Sequence, residues 1–256
     1  MKIGIVITLC LCIASIRAQE SINERISFSI EYARHEYAMD SLNEFYFDFV
    51  INEFNFLEKN ISSGNYFAVH FTFRPTKMIE VGIKPFYQFG RSQHSSPILV
   101  YGNSPEPIET NLFLSQTTRS YGLLLSSSFY VNEIVSKHIN RMFINRLSYA
   151  PEVNFGIGFS SIYGYSMFSD YVVLSEAENA GLFKKTSLFS QVGLKLEYAV
   201  SQKAMITSIG FRAGYQFFKT GTILRESGDE MLTPTGRVSH LDFSGLYYGM
   251  YLKIGK

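Results

Sequence analysis

The sequence predicts an all-β protein: a transmembrane eight-stranded antiparallel up-and-down β-barrel, with long extracellular loops and a short helix in the first loop. Three observations carry that expectation. Eight stretches alternate apolar and polar residues, the alternation mostly outruns what a soluble sheet uses, and the connections between stretches alternate between long and short. The fifth stretch is the clearest. Leu147, Tyr149, Pro151, Val153, Phe155, Ile157 and Phe159 fall on one face, and Ser148, Ala150, Glu152, Asn154, Gly156, Gly158 and Ser160 on the other. Successive side chains of a strand point to opposite sides, and a strand needs roughly 9–11 residues to cross a bilayer. The large, aromatic face suits acyl chains, and the small or polar face, with its carboxylate, suits a barrel interior.

The amino terminus addresses the compartment. Met1-Lys2 gives a positive start, Ile3 to Ala14 is an apolar run, and Ser15-Ile16-Arg17-Ala18 ends on a small residue before Gln19. This pattern is a cleaved secretory signal, residues 1–18, followed by one barrel domain over 19–256. The apolar run is shorter than the roughly 17–25 residues of a spanning helix. A lipid-anchor reading of Cys10 or Cys12 conflicts with the leucine before each, where a small residue is needed. Both cysteines leave with the signal, so the mature chain has no disulfide framework and no thiolate metal site. Removing Lys2 and Arg17 from 23 basic and 22 acidic residues leaves 21 against 22, net −1, which argues against nucleic acid as a partner. No later apolar run approaches the length of a spanning helix, so any membrane crossing must use a closed sheet.

The strands follow in order. The first covers about Glu24 to Arg34, with Ile26, Phe28, Ile30 and Tyr32 outward. The second runs about Asn65 to Arg74, with Phe67, Val69, Phe71 and Phe73 outward. After the tight turn Arg74-Pro75-Thr76-Lys77, the third continues to about Gly90, with Ile79, Val81, Ile83, Tyr87 and Phe89 outward. A long polar connection is expected over Arg91 to Ser115. The fourth strand spans about Gln116 to Val131, with Tyr121, Leu123, Leu125 and Phe129 outward. The fifth is described above, and another long loop runs from Tyr163 to about Lys184. The sixth puts Leu188, Val192, Leu194, Leu196 and Tyr198 outward, and the seventh Ile209, Phe211, Tyr215 and Phe217. Lys219 to His240 reads as loop, and the eighth strand carries Leu246, Tyr248, Met250, Leu252 and Ile254 on one face.

Between the first and second strands the period changes. Leu42, Phe45, Tyr46, Phe49, Val50, Phe54 and Leu57 recur at helical spacing, with Ser41 and Glu44 as a capping box. Phe45 to Ile51 also alternates, but a ninth strand would put the amino terminus outside. Eight strands put both ends in the periplasm, with short turns there and longer loops outside. The segment is therefore a helix of the first outer loop, a lid over the barrel mouth or an exposed patch for a partner.

The turn Arg74-Pro75-Thr76-Lys77 leading into Ile79, Glu80, Val81 and Gly82, and the fifth strand from Pro151 through Asn154, Gly156 and Gly158, resemble the small outer-membrane β-barrel proteins of the Bacteroidetes type. The resemblance implies the same barrel, an outer-membrane location in a Gram-negative cell, contact with outer-membrane lipid and handling by the barrel-assembly machinery. This chain ends Gly255-Lys256, where many such barrels end on an aromatic residue, with Tyr247, Tyr248 and Tyr251 nearby. The resemblance carries over no functional residue, because one fold serves many roles.

An eight-stranded barrel is just wide enough to be filled by its own side chains. The inward positions predict a charge-balanced interior network of Glu31, Glu80, Glu152 and Glu197 with Lys84, Lys195 and Arg212. The rival reading is a narrow path for protons or ions. Catalytic signals are sparse. His35, His94 and His240 fall near the outer rim, without metal-ligand spacing. His94 and Ser96, with Glu106 or Glu109, bring together the residue types of an outer-membrane lipid A deacylase, but within a proline-bearing loop. Glu226, Asp229 and Glu230 read as solvated loop rather than a calcium site, and Asn60-Ile61-Ser62 as a chance match to a glycosylation acceptor. No cofactor is expected. The function expected is non-enzymatic: structural, or binding of a surface protein or ligand through the outer loops, with Phe45, Tyr46, Phe49, Val50 and Phe54 as the candidate loop site. The alternatives are a porin-like small-solute channel and a lipid A-modifying enzyme.

Overall fold

The computed structural model describes residues 26–39, 61–76, 78–100, 108–131, 146–168, 181–200, 206–225, 227–230 and 240–254. The expected signal segment and the first-loop helix stripe lie outside them. The elements are β1 (Ile26–Glu36), β2 (Ser63–Phe73), β3 (Ile79–Val100), β4 (Ile108–Phe129), β5 (Leu147–Phe168), β6 (Gly181–Ala199), β7 (Ile206–Phe217), β8 (Lys219–Thr222), β9 (His240–Asp242) and β10 (Gly245–Ile254). Eight of them close an antiparallel barrel in the order β1-β10-β7-β6-β5-β4-β3-β2, and β8 pairs with β9 in a separate two-stranded sheet. The seam joins the first and last barrel strands, with Phe28 opposite Ile254 and His35 opposite Tyr247. Closure leaves no barrel edge to pair with another chain.

Alternation decides which side of the wall each residue takes. Val153, Phe155, Ile157 and Phe159 are exposed on the outside of β5, whereas Glu152, Asn154 and Ser160 are buried inside. The same holds round the ring, and the outer surface is a belt of exposed apolar side chains that includes Leu125, Leu188, Leu194 and Met250, each more than 60% exposed. Pro85 sits within this pattern at a break in pairing. The β2–β3 ladder runs from Asn65↔Phe89 to Ala68↔Phe86 and resumes at Phe71↔Ile83. A proline has no N–H to give a neighbouring strand, so the gap falls where it must.

Three expected loops are corrected. The stretch Arg91 to Ser115 is mostly paired strand: the β3–β4 ladder continues past Gly90↔Thr118 to Val100↔Ile108. Likewise β5 continues to Phe168 and β6 begins at Gly181, inside the expected loop. Apolar alternation lapses in these stretches of sequence while backbone pairing persists. Pro97 is tolerated opposite Asn111 because, among the described residues, β3 there pairs with β4 alone. The third correction lies in 219–240. Lys219–Thr222 and His240–Asp242 form a short hairpin sheet, held where the Leu241 N–H donates to Thr220 Oγ1 at 2.8 Å. Strands this short carry too few side chains to show a period.

Candidate functional site

The inward charges of six barrel strands, joined by Tyr130 just past the end of β4, meet inside the barrel. In the middle layer, Glu31 (β1) pairs with Arg212 (β7) and with Lys84 (β3), whose Nζ is 3.0 Å from Glu31 Oε2. Glu152 (β5) faces the same two cations, at 3.3 Å from Arg212 Nε and 3.7 Å from Lys84 Nζ. Towards the β3 start, Glu80 pairs with Lys195 (β6) and, at 2.7 Å, with Lys253 (β10), while Glu197 lies 3.5 Å from Lys253. Tyr130 donates to Glu80 at 3.3 Å and to Glu197 at 3.1 Å, and Tyr251 donates to Glu197 at 3.1 Å. Arg74 closes this end, 3.2 Å from Glu80 and 3.9 Å above the Tyr130 ring centre.

The seven residues expected inside are thus all buried in this network. An eighth, Lys253, belongs with them and was missed. Its signal was available, since Leu252 and Ile254 point outward and put Lys253 inside. With it, four buried carboxylates meet four buried cations: Lys84, Lys195, Arg212 and Lys253. Neutrality of this kind is what a low-dielectric interior demands, because an unpaired buried ion costs several kcal/mol.

His70 lies in the middle layer, 3.0 Å from Arg212 and hydrogen-bonded to Ser126. A guanidinium has no lone pair to offer, so His70 Nδ1 accepts and the ring proton sits on Nε2. Nε2 therefore donates to the Ser126 hydroxyl. A general base would have to accept a proton from that hydroxyl, so this buried serine–histidine pair is not a nucleophile and its base.

Above the charges the interior is aromatic, where a polar core was expected. Phe86 packs edge-on to Phe189 at 4.7 Å, Phe189 stacks on Phe218 at 4.7 Å, and Phe218 stacks on Phe243 at 5.2 Å. Phe86 and Phe218 reach each other from opposite walls, with centroids 6.4 Å apart. His35 is sandwiched between Tyr66 at 4.4 Å and Tyr247 at 5.4 Å. Ile223, Leu241 and Phe243, on and beside the β8–β9 hairpin, are fully buried with them. Among the described residues this hairpin covers the mouth, the place expected for the helix bearing Phe45, Tyr46, Phe49, Val50 and Phe54. Those five lie outside the described residues.

Glycines make room for these rings. Any side chain at Gly158 would run into the Phe218 ring, and at Gly210 into Tyr251. The substitution Gly158→Leu is expected to destabilise the barrel by about 1–3 kcal/mol through overpacking. Adding Phe218→Ala to the same chain should recover part of that loss, as read from urea unfolding midpoints in detergent.

The remaining candidates do not converge. His35 is inside the barrel, His94 is on β3 opposite Leu114, and His240 is on β9. Burial and the nearby Lys219 ammonium hold His240 below the ordinary imidazole value. No group of three metal-ligating side chains forms among the described residues. Ser96 lies in the paired part of β3 opposite Leu112, not in a loop, and Glu109 pairs with Leu99.

No protein-family model matches the chain, and no curated protein matches it. Solved structures similar in outline include two outer-membrane proteins. The attachment invasion locus protein Ail of Yersinia pestis has 13% identity and a TM-score of 0.40, with 90% of this chain and 98% of that one covered. A major outer membrane protein from Thermus thermophilus has 12% identity and a TM-score of 0.41, with 90% and 99% covered. Likenesses this distant carry no argument about role, and the barrel assignment rests on the strand ladders.

Proposed function

We propose that this protein is a non-enzymatic outer-membrane β-barrel, exported through a cleaved signal, whose role is structural or lies in binding at its outer face. The observation that carries the reading is the inverted wall: apolar residues exposed outside, paired charges inside. On β5 the unbroken outward apolar run is Leu147 to Phe159. At roughly 3.4 Å per residue and a tilt of about 40°, that span is about 31 Å tall, enough to cover the apolar band of about 25 Å that a barrel presents to lipid. A water-soluble sheet exposing so many large apolar side chains would aggregate.

A filled interior favours a scaffold over a conduit. Each of the four buried carboxylates lies within 4 Å of a cation, and the Phe86, Phe189 and Phe218 rings pack together above them. Binding then falls to the projecting hairpins β3–β4 and β5–β6, since loops on a rigid wall are where recognition usually resides. The resemblance to Bacteroidetes barrels supports an envelope role of the same kind.

The protein is expected in the outer-membrane fraction, soluble only with detergent, and its unheated form should migrate differently from its boiled form on a denaturing gel. Recovery as a soluble periplasmic monomer would overturn the reading. Purified protein in planar bilayers is expected to show no stepwise conductance; regular steps would replace the scaffold with a channel.

A further inference from the structure

In the middle layer, a group of polar side chains surrounds one ammonium and is left incompletely bonded. Glu31, Tyr66, Lys84, Asn154 and Gln191 are each no more than 1% exposed. Lys84 Nζ lies 3.0 Å from Glu31 Oε2, 3.5 Å from Gln191 Oε1 and 5.5 Å from the centre of the Tyr66 ring. Asn154 Nδ2 donates to Gln191 Oε1 at 3.1 Å and to Glu152 Oε1 at 2.7 Å. Four buried atoms here have no hydrogen-bond partner among the described residues: Glu31 Oε1, the Tyr66 hydroxyl, Asn154 Oδ1 and Gln191 Nε2. Turning the amides over does not help. An ammonium only donates, so Gln191 must show its oxygen to Lys84. That oxygen and the Glu152 carboxylate only accept, so Asn154 must show them its nitrogen. Both cations beside Glu31, Lys84 and Arg212, lie on its Oε2 and leave Oε1 bare. Lys84 is itself underserved. Charge-assisted N–H···O bonds run about 2.7–2.9 Å, whereas its contacts to Gln191 and Glu152 are 3.5 and 3.7 Å.

We propose that this node is a binding site for ordered water, held inside the barrel by Lys84, Glu31, Tyr66, Asn154 and Gln191. The bare atoms are two acceptors, one donor and a hydroxyl that is either, and Lys84 adds donors. Water, with two donors and two acceptors, complements that mixture. Buried waters typically make about three hydrogen bonds to groups that the protein leaves unsatisfied, and a polar contact longer than about 3.5 Å is where a bridging water belongs. Ions suit the site less well. A metal cation would face Lys84 and Arg212, and an anion would face Glu31, Glu152 and the Asn154 oxygen. Such water is confined, unlike the water of a lumen, because the side chains that hold it are themselves buried. The site concerns the interior alone and stands apart from whatever the outer face binds.

Tyr66→Phe separates a hydrated node from a dry one by the sign of its effect. The ring stacks on His35 at 4.4 Å and on Phe86 at 5.7 Å, and phenylalanine keeps both contacts while deleting the hydroxyl. In a dry node that hydroxyl is a buried group without a partner, so its removal relieves a desolvation penalty and raises the urea midpoint. In a hydrated node the removal strips the water of a partner, and the midpoint falls. The full protein is folded in detergent micelles, with the gel shift confirming the barrel. Long-lived internal water is counted by oxygen-17 relaxation dispersion of the solvent. Wild type should show such water, and Tyr66→Phe should show less of it together with a lower midpoint. A midpoint at or above wild type overturns the proposal, as does an unchanged water count in the folded variant. Wild-type protein decides the matter by itself if the variant does not fold: internal water that exchanges slowly supports the site. Its absence, or exchange as fast as that of surface water, overturns it.

Discussion

Replacing Arg212 with methionine is expected to destabilise the folded barrel by about 3–5 kcal/mol, because it leaves two buried carboxylates without their shared cation. Arg212 pairs with Glu31 and sits 3.3 Å from Glu152, and its guanidinium lies 4.6 Å from the centre of the Tyr251 ring. After its removal, Lys84 is left alone to serve both acids. The loss also takes the Arg212 partner of His70. The diagnostic step is compensation. Glu152→Gln in the Arg212→Met background removes one orphaned charge and should recover a substantial part of the deficit, although the same change in wild type is itself destabilising because it strands a cation. Urea titrations of vesicle-folded protein, followed by the gel shift, measure all four members of the cycle. A deficit below about 1 kcal/mol for Arg212→Met would mean that water reaches these groups, and the interior would then be a wet lumen instead of a dry network.

The barrel was legible because a cylinder wall imposes a period of two on every strand at once. Parity alone sorts Glu31, Glu80, Glu152 and Glu197 from their outward neighbours, and all four are buried. The same parity places Lys253 inside, between the outward Leu252 and Ile254. Parity says which side a residue takes, but not which height or neighbour. That is why the division into a charged lower layer and an aromatic upper layer was invisible. Phe86 and Phe189 read as lapses in alternation, and only the ladders show that they stand opposite the small positions Gly122 and Gly156. The hairpin extensions were hidden for a different reason. The residues of β3 from Gly90 to Val100 pair through their backbones, and backbone pairing leaves no mark on a sequence once lipid no longer selects one face. The β8–β9 cover over the mouth depends on Ile223, Leu241 and Phe243, three residues spread over a stretch rich in turn formers.

Val192→Arg gives the sharpest separation between the two environments this wall could inhabit. Val192 is 51% exposed near mid-height on β6, between Val153 of β5 and Tyr215 of β7. On a water-facing sheet, an arginine at so open a position would change stability by no more than about 0.5 kcal/mol. Facing acyl chains at the bilayer midplane, it is expected to cost about 2–4 kcal/mol. Thr186→Arg provides the internal control. Thr186 is exposed on the same strand and face, one outward step from Lys184, so a cation there reaches the headgroups and should cost only about 0–1 kcal/mol. Both variants leave the interior network untouched, so a difference between them reports depth in the membrane and nothing else. Equal, small effects at the two positions in vesicle-folded protein would place water against the belt and remove the basis for reading the molecule as a membrane barrel.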